Sequence, residues 1–179
     1  MDVRIETASG LPTEVATAAE LCALLASYDL HGLEWTDHVM VQEGVRSHSH
    51  PKLTLNTRRT GDSLLASYLH EQLHWWLAEH DRVAAAIDAT RQGWSTTPGR
   101  TEGGARNDWS SRLHLFVCFL EDRAVRLLTT PQRAAAVLDA QIEAGIYPWV
   151  RQEIRDQGST LSTLCDRYQL WPPRLRSPL

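Results

Sequence analysis

The stretch Leu64-Leu65-Ala66-Ser67-Tyr68-Leu69-His70-Glu71-Gln72-Leu73-His74-Trp75-Trp76-Leu77 decides how this chain is read. Its apolar residues fall almost all round a helical wheel, so the spacing predicts a helix buried on nearly every side. Two histidines and a glutamate inside such a helix need a reason, because unpaired polar groups are costly to bury. Residues four apart lie one turn above each other on the same helix face. His70 and His74 can therefore present two imidazole nitrogens to one ion, with Glu71 beside them. Zinc lowers the pKa of a water that it holds towards neutrality, and Glu71 is placed to take that proton as the water attacks a carbonyl.

Around this segment the chain reads as mostly helical. Ala, Leu and Glu recur at helical spacing from Pro12 to Tyr28. Val39-Met40-Val41 and Lys52 to Thr57 look like two strands, separated by the polar run Arg46-Ser47-His48-Ser49-His50-Pro51. Gly61 breaks the chain and Asp62 is the expected N-cap of the motif helix, which runs through His80 and is followed by helical sequence to Arg91. Residues 92–108, rich in Gly, Thr, Ser and Arg, form a long loop of the kind that often covers a site. A second apolar helix spans Trp109 to Leu128. Thr130 caps the next, with Pro131 at its first position and Gly145 ending it. Ser159 caps a last short helix before Trp171-Pro172-Pro173. The expected fold class is α+β, one mostly helical domain over residues 1–179 with a small sheet and the motif on a central buried helix.

Length and composition fit that picture. The 179 residues suffice for one well-cored domain. A net charge of −4 with no basic stripe argues against nucleic acid as a partner. No stretch reaches the length of a membrane span, and Met1 to Glu6 lack the basic and apolar regions of a signal peptide. Cys22, Cys118 and Cys165 are odd in number and scattered, and read as buried thiols of a cytoplasmic protein. Oligomeric state is not legible.

The His70-Glu71-Gln72-Leu73-His74 segment resembles the H-E-x-x-H motif of zincin metallopeptidases. That resemblance implies Zn2+ as cofactor, a peptide or protein substrate, and hydrolysis by a metal-activated water with Glu71 as general base. His80 lies six residues beyond His74, as in the metzincin branch. That branch turns at a glycine where this chain has Leu77, and without the turn His80 sits about 240° round and about 9 Å along the helix. Glu121 is the stronger third ligand. Its helical neighbours His114, Val117, Cys118, Ala124, Val125 and Leu128 are largely apolar, and a bare carboxylate among them calls for a cation. A Glu on the next long helix resembles the gluzincin, thermolysin-like branch. The likeness departs at Val125, where that branch carries an Asp.

His114, on the same face as Glu121, could be a ligand, a donor to the oxyanion, or a hydrogen-bonded core histidine. Tyr147 could lend its phenol to the oxyanion or simply pack. His48 and His50 could chelate from an extended loop or stay solvated. In zincins an edge strand near the site pairs with an extended substrate, and the Leu53–Thr57 strand is the expected one here. Against the metallopeptidase stands a non-catalytic zinc protein using the same helix pair for stability or partner binding. Glu71 weighs against it, since a structural site has no use for a base and closes with a fourth ligand.

Overall fold

The computed structural model describes residues 2–176, and among them three strands and six helices share one hydrophobic core. Strand β1 (Arg4–Thr7), β2 (His38–Val41) and β3 (Leu53–Leu55) form a parallel sheet in the order β1-β2-β3. Helix α1 (Pro12–Ser27) is the crossover between the first two, as a parallel pair requires. Val39, Val41, Leu53 and Leu55 are fully buried. The α+β class is therefore as expected, with one strand more. Alternating Arg4 and Glu6 hid β1, and Glu6 is held by ion pairs to Arg4, His38 and Lys52 across the sheet.

The link from β2 to β3 turns at Gly44 and doubles back along the sheet. His48 donates its N–H to Thr54 O at 2.9 Å and accepts from Thr54 N at 2.8 Å, an antiparallel bridge. Ser47 Oγ accepts from Asn56 N at 3.1 Å. The outward backbone of β3 is thus occupied by the chain itself, so β3 is not the open edge expected of it.

Helix α2 (Gly61–Ala78) is the buried central helix, starting one residue before Asp62, which instead pairs with Arg133. Gln72 ties it to the sheet. Its Oε1 accepts from Trp35 N and Thr36 N, and its Nε2 donates to Thr36 O and Tyr68 Oη. A buried amide so fully bonded carries no penalty. A short α3 (Val83–Ala89) follows, then α4 (Asp108–Leu128) against α2, and α5 (Pro131–Glu143) capped by Thr130 as expected.

The last helix departs most from expectation. α6 runs from Pro148 to Tyr168, not from Ser159, with one non-helical residue at Gln157. Ser159, the expected cap, lies two residues past that kink. Yet Val150, Ile154, Leu161 and Cys165 are all buried, and that shared apolar face carries the helix past the kink.

The segment between α3 and α4 is pinned rather than loose. Arg112, fully buried, bonds Asp108 and donates to Thr90 Oγ1 and Trp94 O. Ser111 Oγ accepts from Ala105 N, and Trp149 N donates to Gly103 O, which fastens the segment to α6. A Cβ on Gly104 would stand 2.0 Å from Pro98 O, so only glycine fits there. No described helix is long and apolar enough to cross a membrane. The three cysteines are free, and Cys22 is exposed where burial was expected.

Candidate metal centre

α2 and α4 lie side by side with three imidazoles between them. Ligand atoms of His70, His74 and His114 all fall within 4.8 Å of one another. The ring of His70 is 4.9 Å from that of His74 and 5.6 Å from that of His114, and His74 and His114 are 5.0 Å apart. His70 and His114 are 8% and 7% exposed, whereas His74 reaches solvent somewhat more.

Two of the three rings are oriented by an acceptor on Nδ1. His70 Nδ1 lies 2.8 Å from Glu121 Oε2, and His114 Nδ1 lies 2.7 Å from Ser110 O. A carboxylate and a carbonyl can only accept, so both Nδ1 atoms carry the proton and Nε2 is left as the free lone pair. His74 makes no hydrogen bond among the described residues. Burial, then the charges of His70 and His114, push His74 well below the ordinary histidine range. Burial, then His70, push His114 down to about 3. Both are thereby neutral, the form that a metal requires. His70 differs. Burial opposes its protonation, but hydrogen bonds to Cys118 and Glu121 outweigh that and draw the metal-free imidazole towards its cation.

Glu121 stands behind His70 with its oxygens engaged by three protein groups. Oε1 accepts from Gln141 Nε2 at 2.7 Å, and Oε2 accepts from Arg151 at 2.9 Å as well as from His70. Burial would raise its pKa, but Arg151 and His70 hold it well below the carboxylate range. Glu121, Cys118 and His70 Nδ1 also come within 4.8 Å of one another. That group lies on the proton-bearing side of the His70 ring.

Glu71 is the opposite case. It is 6% exposed and has no hydrogen-bond partner among the described residues. Burial raises it to about 7, although His70 and His48 pull the other way. Tyr147 packs over the histidines, its ring 4.3 Å from that of His114 and 6.3 Å from that of His70. It holds a left-handed backbone at φ 49°, rare for a bulky residue and common where a side chain must be aimed. Burial pushes its phenol up to about 12, so it stays a donor at neutral pH.

Of the residues singled out in sequence, His70, Glu71, His74, His114, Glu121 and Tyr147 are brought together. His80 is not: its Nε2 bonds Gln169 O at 3.0 Å. His48 and His50 flank the cluster without joining it, His50 stacked on Trp75 at 4.1 Å. Arg151 and Gln141 were not foreseen, and an arginine beside Val150 and Ile154 was the only signal for the first. Two cavities, of about 610 and 430 Å3, lie elsewhere, one among α4, α5 and α6 and one beside β1 and α1. The chain matches no protein-family model, no curated protein and no solved structure.

Proposed function

We propose that this chain is a zinc-dependent hydrolase of peptide bonds in which His70, His74 and His114 hold the ion through nitrogen and Glu71 is the general base. One observation carries the reading. Beside three converging neutral or neutralisable imidazoles stands Glu71, only 6% exposed, whose carboxylate accepts no hydrogen bond among the described residues and keeps its access to the open side. A carboxylate with a raised pKa beside converging imidazoles is the kind of group that catalytic sites use.

The donor set fits zinc, which takes imidazole nitrogen readily and keeps an open fourth position where it is catalytic. His114 is favoured over Glu121 as third ligand, because the Glu121 oxygens are already engaged. Glu121 then orients His70, the carboxylate–histidine arrangement that fixes a ligand's tautomer and raises its basicity. With Glu121 in that role the likeness to zincins rests on the motif helix, and the gluzincin branch loses its support.

Zinc supplies an acidified water and a polarised carbonyl when bound. Glu71 takes the proton of the attacking water and delivers it to the leaving amine, and its raised pKa suits both steps at neutral pH. Tyr147 donates its phenolic hydrogen to the oxygen on which charge develops. Three free cysteines fit a reducing, cytoplasmic setting.

The test is metal analysis and peptide turnover on the wild type and Glu71→Gln. The variant should keep one zinc per chain and lose hydrolysis by at least about 100-fold, the low end for a general base. Equal turnover by the two proteins would remove Glu71 from the reaction. A zinc-loaded wild type that cleaves nothing in a broad peptide mixture would favour the non-catalytic alternative.

A further inference from the structure

β1 stands at the end of the sheet, and its free backbone is not taken up as that of β3 is. Arg4 N donates to Asp37 O at 2.6 Å and Ala8 N to Val41 O at 2.9 Å, so the backbone of Arg4, Glu6 and Ala8 faces β2. Peptide groups alternate along a strand, so Ile5 and Thr7 turn both N–H and C=O away from the sheet. Neither residue's outward backbone has a hydrogen-bond partner among the described residues. An edge open in this way is a template for another strand.

The helix beside that edge is unusual for one that faces water. α1 has no lysine or arginine. From its N-cap Leu11, the residues Leu11, Val15, Ala18, Cys22 and Leu25 recur at spacings of four and three, the seam on which two helices pack. Leu11 and Val15 are 42% and 52% exposed. The seam lies on the β1 side. Cys22 and Leu25 line the 430 Å3 cavity together with Val3 and Ile5, while Glu20 reaches the other way and accepts from Gly61 N at 2.6 Å, at the start of α2. An open strand edge and an apolar helix seam thus run side by side.

We infer that this face binds a second copy of the same chain. β1 pairs antiparallel with its counterpart about a two-fold axis at Ile5, and the two α1 helices pack seam to seam. Charge chooses the partner. In that register Ile5 faces Ile5 and exchanges both backbone hydrogen bonds, and Arg4 of each copy stands opposite Glu6 of the other. An axis at Arg4 or at Glu6 would instead set like charges face to face. The strand is thus complementary to itself, which an arbitrary peptide would not be. A two-fold axis normal to the sheet keeps both α1 helices on one face of the joined sheet, where the seams meet and the cavities beside Ile5 are covered. The assembly buries Leu11 and Val15, which the single chain leaves in water.

Sedimentation velocity on the full chain across the micromolar range should give a species of twice 20.2 kDa. Ile5→Pro removes an outward N–H without touching the β1–β2 bonds, and Val15→Arg puts a charge on the seam at an exposed position. Each should leave a monomer whose circular dichroism is that of the wild type. Charge swaps test the register. Arg4→Glu alone sets glutamate against Glu6 of the second copy, and Glu6→Arg alone sets arginine against Arg4. Each should weaken self-association on the order of tenfold or more. Mixed one to one, the two variants restore both unlike pairs, so the mixture should dimerise as the wild type does. That recovery also shows that neither variant is merely unfolded. A wild type that stays at 20.2 kDa overturns the inference. So does a dimer that Ile5→Pro and Val15→Arg both leave intact, which places the contact on another face. A mixture that stays monomeric, with each variant folded, overturns the register and with it the argument from charge.

Discussion

His70 has two sides, and they are built differently. Behind it, Glu121 is saturated by His70, Gln141 and Arg151, every group buried. In front of it, Glu71 and His74 have no hydrogen-bond partner among the described residues, though the first is as deeply buried as His70 itself. Under the proposed function, a fold that gives one carboxylate three donors and its neighbour none separates support from chemistry. The closed side fixes the ring, and the open side is left for a ligand to complete.

The contrast breaks first on zinc. In the proposed site His114 is a ligand on the open side, so His114→Ala should weaken zinc binding by orders of magnitude. Glu121→Ala removes support and should weaken it by about 10–100-fold. In the metal-free protein the ranking reverses. Arg151 would be left buried and unpaired, at a cost of about 3–5 kcal/mol, whereas His114→Ala strands no charge. Zinc competition titration and urea unfolding under chelator measure the two halves. If Glu121→Ala loses zinc altogether and His114→Ala retains it, the ligand is the carboxylate that the sequence favoured.

The open side should also show as instability. The Glu71 carboxyl is raised from the ordinary 4.5 to about 7, so the folded metal-free protein binds its proton more tightly than the unfolded chain. Stability is then lost as pH climbs from 4.5 to 7. Glu71→Gln has no proton to lose there. Metal-free Glu71→Gln should match the wild type near pH 4.5 and exceed it by about 1–3 kcal/mol at pH 8. Identical unfolding curves at both pH values would mean that Glu71 is paired after all.

What was legible in sequence follows from where each signal lies. The motif helix and α4 declare themselves through apolar periodicity, and the spacing of four between His70 and His74 and of seven between His114 and Glu121 keeps each pair on one helix face. β1 was invisible because four residues with two charges make no strand alone, and only pairing with His38 to Val41 gives them one. Glu121 is the instructive case. A carboxylate on an apolar face does need a cation, and sequence could say so. It could not say which, because Arg151 lies before Ser159, where the last helix was expected to start.

The smallest expected effect sharpens the contrast furthest, because it touches the closed side without touching charge. Gln141 is buried, and its Nε2 donates to Glu121 Oε1 at 2.7 Å. Leucine is close to glutamine in volume, so Gln141→Leu removes that donor with little change in packing. One carboxylate oxygen is then buried without a partner, which costs about 1–3 kcal/mol. Oε2 keeps both His70 and Arg151, so the ring orientation that the open side depends on is unchanged. Gln141→Leu should therefore lower the denaturation midpoint while zinc affinity stays close to that of the wild type. A fall in zinc affinity as large as that of Glu121→Ala would show that Oε1 helps to position His70. The two sides of that residue would then be one unit, and the division drawn between support and chemistry would not hold.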